Sequence, residues 1–210
     1  MFEIVRTLAE SDKKINFVAI GYLPLKDGMS HASLIIQHQE NLFEFHYTSM
    51  SIEIDNVSRD YSHKISETIH PDEVAAFIAM CRNIKKKANP TYGYFYSGES
   101  YDINGIHQSS NDLGERMTCV GFCLNVLKGF LEEDYLKYTD WENDGYELYD
   151  GYLEKYCADN NVELDSVKAA HRRITPLELL TSAFFSNTPI SKTHIDQKIS
   201  EVEDFISTRR

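Results

Sequence analysis

Along this chain the apolar residues recur first at every second position and later at every third or fourth. Ile15 to Leu25 is a β-rich apolar run that ends in a turn at Pro24 and Asp27-Gly28. His31 to Gln37 follows as a second strand, headed by a histidine and carrying Leu34, Ile35 and Ile36. Gln39-Glu40-Asn41 is a polar break. From Leu42 to Thr48, Phe43, Phe45 and Tyr47 alternate with Glu44, His46 and Thr48, the mark of a half-buried strand. The two runs predict a hairpin whose return strand lies opposite His31. Ser51 to Val57 is a further candidate strand.

The period then lengthens. His70-Pro71-Asp72-Glu73 predicts a helix start, with proline at the first helical position and acids in the first turn. Val74, Phe77, Ile78 and Cys81 recur at helical spacing, and Asn89-Pro90 ends the element. Thr91 to Gly114 is rich in Tyr, Gly, Ser and Asn and predicts a long loop or irregular strand. Thr118 is a fitting N-cap for a helix from Cys119 to Leu131. Val120, Leu124, Leu127 and Leu131 form one apolar stripe of that helix, and Phe122, Cys123, Val126 and Phe130 another. A helix apolar nearly all round belongs at the centre of a fold. Further helices are predicted over Tyr146 to Asn160, Ser166 to Arg172, and Pro176 to Phe185 with Thr175 as N-cap. A last amphipathic helix carries Ile195, Ile199, Val202 and Ile206.

A chain of 210 residues, 42% of them apolar, fits one globular domain with an elaboration. The formal net charge of −12 argues against nucleic acid as a partner, because phosphate binding needs a basic patch. The one basic run, Lys85-Lys86-Lys87, suits a helix C-terminus. No apolar stretch approaches the ~20 residues of a membrane span, so no membrane partner is expected. The first residues lack the layout of a signal peptide. Four cysteines without framework spacing predict free thiols and a cytoplasmic protein, with export by a route lacking a cleaved signal left open.

Cys119 stands beside the free amides of a helix start. There the dipole favours a thiolate, and the N–H groups can hold an oxyanion. An inert core cysteine is the plainer alternative, and Cys123, one turn on, reads as core. His31, after a polar turn and before an apolar strand, is placed to serve as a base, although a surface histidine would look the same. A third polar group should fix its ring. Glu44 and His46 share one face of the return strand, so alternation cannot separate them. A carboxylate also stabilises an imidazolium, which favours Glu44, with His46 as the alternative. Cys119-x3-Cys123 with a histidine could begin a zinc site, but no second ligand pair follows. No metal and no cofactor is expected.

Together these segments resemble the circularly permuted NlpC-type hydrolases. Those proteins share a papain-like fold and include the lecithin:retinol acyltransferase-like enzymes. His31-Ala32-Ser33-Leu34-Ile35-Ile36 is similar to the family's histidine strand, and Leu42-Phe43-Glu44-Phe45 to its return strand. Thr118-Cys119-Val120-Gly121-Phe122 is similar to its nucleophile motif. The histidine precedes the cysteine, as in the permuted order. The resemblance implies an α+β fold in which an antiparallel sheet packs on the buried helix carrying Cys119. The resemblance covers roughly residues 15–135, and the chain is expected to divide into a core over 1–140 and a helical C-terminal elaboration of the same domain over 141–210. It also implies catalysis by Cys119, His31 and Glu44. Thr118 stands where the acyltransferase branch has asparagine, and no membrane anchor follows.

Amide hydrolysis of a peptide, an isopeptide or a cell-wall peptide cross-link through a thioester is therefore the expected activity. Thioesterase or acyl-transfer chemistry, or a non-catalytic binding module on the same fold, are the alternatives. Tyr92, Tyr94, Tyr96 and Tyr101 are candidates to line a substrate cleft, or else to pack as ordinary strand residues. The acidic balance disfavours strongly anionic substrates.

Overall fold

A computed structural model describes residues 4–6, 15–93, 96, 98–109, 114–141, 146–170 and 172–208. The first half of the chain builds a six-stranded sheet from β1 (Val5–Arg6), β2 (Phe17–Pro24), β3 (Ser30–His38), β4 (Asn41–Tyr47), β5 (Ile52–Asn56) and β6 (Ser62–Ile65). The order across the sheet is β1-β6-β2-β3-β4-β5, with every neighbour antiparallel. The predicted hairpin is β3–β4, closed by the pair His38↔Asn41. Ser62-His63-Lys64-Ile65 was not foreseen as a strand. It has no apolar alternation, and it is extended because the free edge of β2 pairs with it.

α1 (Val74–Lys87) follows a single tight turn at Pro71–Glu73. The His70 Nδ1 accepts from the Asp72 amide, and Glu73 Oε2 accepts from the His70 amide, so both ends of the turn are capped. Lys85, Lys86 and Lys87 lie in the last turn of α1, where the dipole favours cations. Among the described residues, the tyrosine-rich region and the approach to α2 hold short strands: β7 (Thr91–Tyr92), β8 (Ser100–Tyr101), β9 (His107–Gln108) and β10 (Arg116–Met117).

α2 (Cys119–Leu131) takes the predicted bounds and the predicted place. Every residue from Val120 to Leu127 is buried. Phe122 packs at a steep tilt against Phe45 of β4 and edge to face against Tyr101 of β8, with ring centroids 5.1 and 5.9 Å apart. Gly129 lets β8 approach, since a Cβ there would stand 1.8 Å from the Tyr101 carbonyl oxygen. The remaining helices are α3 (Tyr146–Asn160), α4 (Leu164–Ala170), α5 (Pro176–Ser182) and α6 (Lys192–Ser207). α4 begins earlier in the chain than its apolar spacing suggests, and α5 ends sooner. Thr175 caps α5 by accepting from the Glu178 amide. α5 and α6 join the main core through Leu179, Leu180, Ile195, Val202 and Ile206. α3 and α4 build a small core of their own around Leu153, Tyr156 and Val167.

The main sheet therefore has two unlike faces. Alternation sends Val18, Ile20, Ala32, Leu34, Ile36, Phe45 and Tyr47 to the helices. It sends Phe17, Ala19 and Ile35 to the other face, where Tyr61 from the β5–β6 connection covers them. No described helix is long and apolar enough to cross a membrane.

Candidate active site

The site begins where two strands part. β3 pairs with β2 all the way to Ser30, but β4 leaves β3 after Leu34↔Phe45. The start of α2 meets β3 in that gap. Thr118 caps α2 by accepting from the Gly121 amide at 3.1 Å, and the Phe122 amide bonds the Thr118 carbonyl at 2.9 Å. The amides of Cys119 and Val120 are left without an intrahelical partner, as at every helix start. The amide of Val120 and that of Ala32 from β3 act on the Cys119 thiol, each favouring its ionised form. The thiol is partly exposed and is one of four free cysteines, of which Cys81, Cys123 and Cys157 are buried. Burial raises the Cys119 pKa, and the amides of Ala32 and Val120 pull against that rise.

The sulfur thus lies against the peptide that joins His31 to Ala32. Among the described residues no hydrogen bond runs from the thiol to the His31 ring. His31 instead uses Nε2, which lies 2.8 Å from Nδ1 of His46. The two rings meet edge to face, with centroids 5.0 Å apart. His46, not Glu44, is the side chain bonded to His31. The reason is register. Glu44 faces Ile35, two same-face steps or about 13 Å along β3 from His31, whereas the ladder continued past its last pair brings His46 one step away. Leu23 of β2 is the residue directly opposite His31.

Glu44 stands one link further out. Its Oε1 lies 3.8 Å from Nε2 of His46 and accepts from Arg59 Nη2 at 3.2 Å. Arg59 comes from the β5–β6 connection and also lies over the Tyr61 ring. Sequence reasoning passed over Arg59, since nothing in its neighbourhood marks it before the connection is folded back over the sheet. Burial holds both imidazoles well below their ordinary range. His31 is lowered to about 3, with help from His46 and Arg59. His46 is lowered to about 4, with help from Arg59. At neutral pH the two rings are uncharged and the Cys119 thiol is un-ionised.

The described tyrosines differ widely in exposure. Tyr92 is 41% exposed, Tyr96 is 2% exposed, and Tyr101 is fully buried. Tyr94 lies outside the described residues. The hydroxyl of Tyr101 donates to Glu115 Oε1 at 2.7 Å. A hollow of about 370 Å³ does include Tyr101, but it is lined by Lys128, Gly129 and Glu132 at the far end of α2 from Cys119. Thirteen residues of helix separate the two ends. Among the described residues no group of three or more His, Cys, Asp or Glu is placed to hold a metal ion. Comparison of the chain with family models, with curated proteins and with solved structures finds no match.

Proposed function

We propose that the chain is a cysteine hydrolase of the permuted papain-like kind, cleaving an amide bond through a thioester. The observation that carries this reading is the half-buried Cys119 at the capped start of α2, where the Ala32 and Val120 amides favour its thiolate, together with the His31–His46 pair of β3 and β4. Amide donors in that position serve an oxyanion as readily as a thiolate. In the reaction Cys119 Sγ attacks the carbonyl carbon while His31 takes the thiol proton. The C–N bond breaks, and His31 gives the proton to the departing amine. Water then attacks the thioester, His31 takes its proton, the C–S bond breaks, and the acid leaves as the thiol is restored. His46 orients His31, and Glu44 with Arg59 borders His46. The net charge of −12 favours a substrate that is not strongly anionic.

The test is a panel of peptide amides and acyl thioesters, read by product release and by intact mass. The expected result is an acyl adduct on Cys119, turnover abolished in Cys119→Ala, and a loss of about 10²–10⁴ in rate in His31→Ala. Absence of any Cys119 adduct, or turnover that survives Cys119→Ala, overturns the reading. Turnover of thioesters alone replaces amide hydrolysis with acyl transfer.

A further inference from the structure

The register of the main sheet decides which main-chain groups turn toward Cys119. The Leu25 amide bonds the Met29 carbonyl at 2.8 Å, one step beyond the β2–β3 pair Pro24↔Ser30. Bonded pairs recur at every second residue of an antiparallel ladder. His31 and Ser33 therefore turn their main-chain groups to β2, and Ser30, Ala32 and Leu34 turn theirs to the lane of β4. The far side of that lane agrees. The Val57 amide bonds the Leu42 carbonyl and the Thr48 amide bonds the Ser51 carbonyl, both at 3.0 Å, which leaves Phe43, Phe45 and Tyr47 to face β3. Leu34↔Phe45 is the last pair in the lane.

Beyond that pair the lane passes Ala32 and then Ser30. The Ala32 amide acts on the Cys119 thiol. Ser30 is half-buried, and its opposite residue on β2 is Pro24, which has no N–H to give. Among the described residues no backbone hydrogen bond reaches the Ser30 amide or carbonyl from the lane. One residue thus offers an N–H and a C=O side by side, about 7 Å along the strand from the amide that meets the thiol. A residue within an extended peptide carries the matching C=O and N–H at the same spacing. Laid antiparallel to β3, as β4 is, such a peptide has one residue opposite Ala32 and the residue two further on opposite Ser30. The first turns its carbonyl oxygen to the Ala32 amide, which brings its carbonyl carbon to the sulfur. The second bonds Ser30 through both its N–H and its C=O.

We propose that the main chain of Ser30 is a substrate clamp that holds the second residue on the leaving side of the scissile bond, so that the substrate is an extended peptide with two or more residues after the cut. The proposal rests on the hydrolase reading for the bond that breaks, but not for the binding. Cys119 Sγ bonds to the carbonyl carbon of the residue opposite Ala32, the C–N bond after it breaks, and the thiol proton departs on the amine of the leaving fragment. Two measurements test the clamp. The first uses acetylated peptide dimethylamides that the chain cuts at one bond and that end one, two or three residues after it. kcat/KM should rise about tenfold from one residue to two, where two main-chain hydrogen bonds are gained, and little from two to three. N-methylation of the second residue after the cut should remove that gain, and N-methylation of the third should not. Ser30→Pro should remove it too, since proline lacks the N–H and suits an edge position after the extended Met29, at φ −75° and ψ 163°. Ser30→Ala should keep it. The second measurement needs no turnover. In nitrogen-15-labelled Cys119→Ala, or in the wild type where nothing is cut, a randomised pool of acetylated hexapeptide amides should shift the Ser30 amide resonance and slow its exchange. A rate that ignores the second leaving residue, or follows only the residues before the cut, overturns the proposal. So does a Ser30 amide that the pool leaves unmoved. A protected Ser30 amide with no turnover keeps the clamp and sinks the hydrolase reading.

Discussion

The two faces of the main sheet are made by the same strands and behave as different materials. Toward the helices, β2, β3 and β4 present Ile20, Leu34, Ile36 and Phe45, all without solvent contact. One residue away along each strand, the other face holds Ser33, Gln37, Glu44, His46 and His63, buried almost as deeply. Packing decides the first face, and hydrogen bonding and charge decide the second. Cys119 sits at the one edge of β3 that both faces reach, because β4 has already departed there. Alternation of side chains thus lets one strand hold a dry core and a titratable cluster without mixing them.

The comparison is broken most severely by emptying the apolar face. Phe122 is fully buried between Phe45, Tyr47 and Tyr101. Phe122→Ala should cost about 3–5 kcal/mol, the range for truncating a core aromatic that its neighbours cannot replace. The loss, measured by urea unfolding, should be the same at pH 7 and pH 5, since none of the rings it contacts titrates in that interval. A loss below about 1 kcal/mol, or one that changes with pH, would mean that the two faces are not separable.

Much of the apolar face was legible beforehand, and little of the polar one was. The bounds of α2 follow from Thr118 and two apolar stripes, both local signals. The sheet order needs partners far apart in the chain, so β6 was missed. The choice between Glu44 and His46 turned on register. Gln39-Glu40 is a two-residue turn, with Gln39 at φ 56°, yet neither residue carries the Asn-Gly type of signature that would have fixed it. Alternation gave the face, and the missing turn signal withheld the step along the strand. That Tyr96 and Tyr101 are buried was hidden for a related reason. Aromatic richness in a loop does not say whether the loop lies over the core, and this one does.

The polar face should fail on acidification. His46 and His63 are each lowered to about 4 in the folded chain, chiefly by burial. In the unfolded chain they titrate near 6.5. Below that value the unfolded chain binds protons that the folded one refuses, so the stabilisation is complete above about pH 6.5 and is lost as pH falls toward 4. At pH 5 the loss is about 2 kcal/mol for each ring. His63→Gln should remove one such share of the pH dependence while leaving the Phe122→Ala loss unchanged. A stability that stays flat from pH 7 to pH 5 would show that these rings are open to water and that the second face is not a buried cluster.

The smallest expected effect lies on the boundary between the faces. The Thr118 side chain takes the Gly121 amide and leaves the Val120 amide to favour the Cys119 thiolate, as the Ala32 amide does. Thr118→Ala should cost about 1 kcal/mol, the usual price of an N-cap. Thr118→Asn keeps an acceptor at the same place and should cost a few tenths at most, because asparagine caps as well as threonine. The Asn variant should also alkylate Cys119 at the wild-type rate, since the two amides that favour its thiolate are untouched. If Thr118→Asn destabilises as much as Thr118→Ala, the hydroxyl does more than cap the helix. Its packing at the parting of β3 and β4 would then join the two faces more tightly than alternation alone.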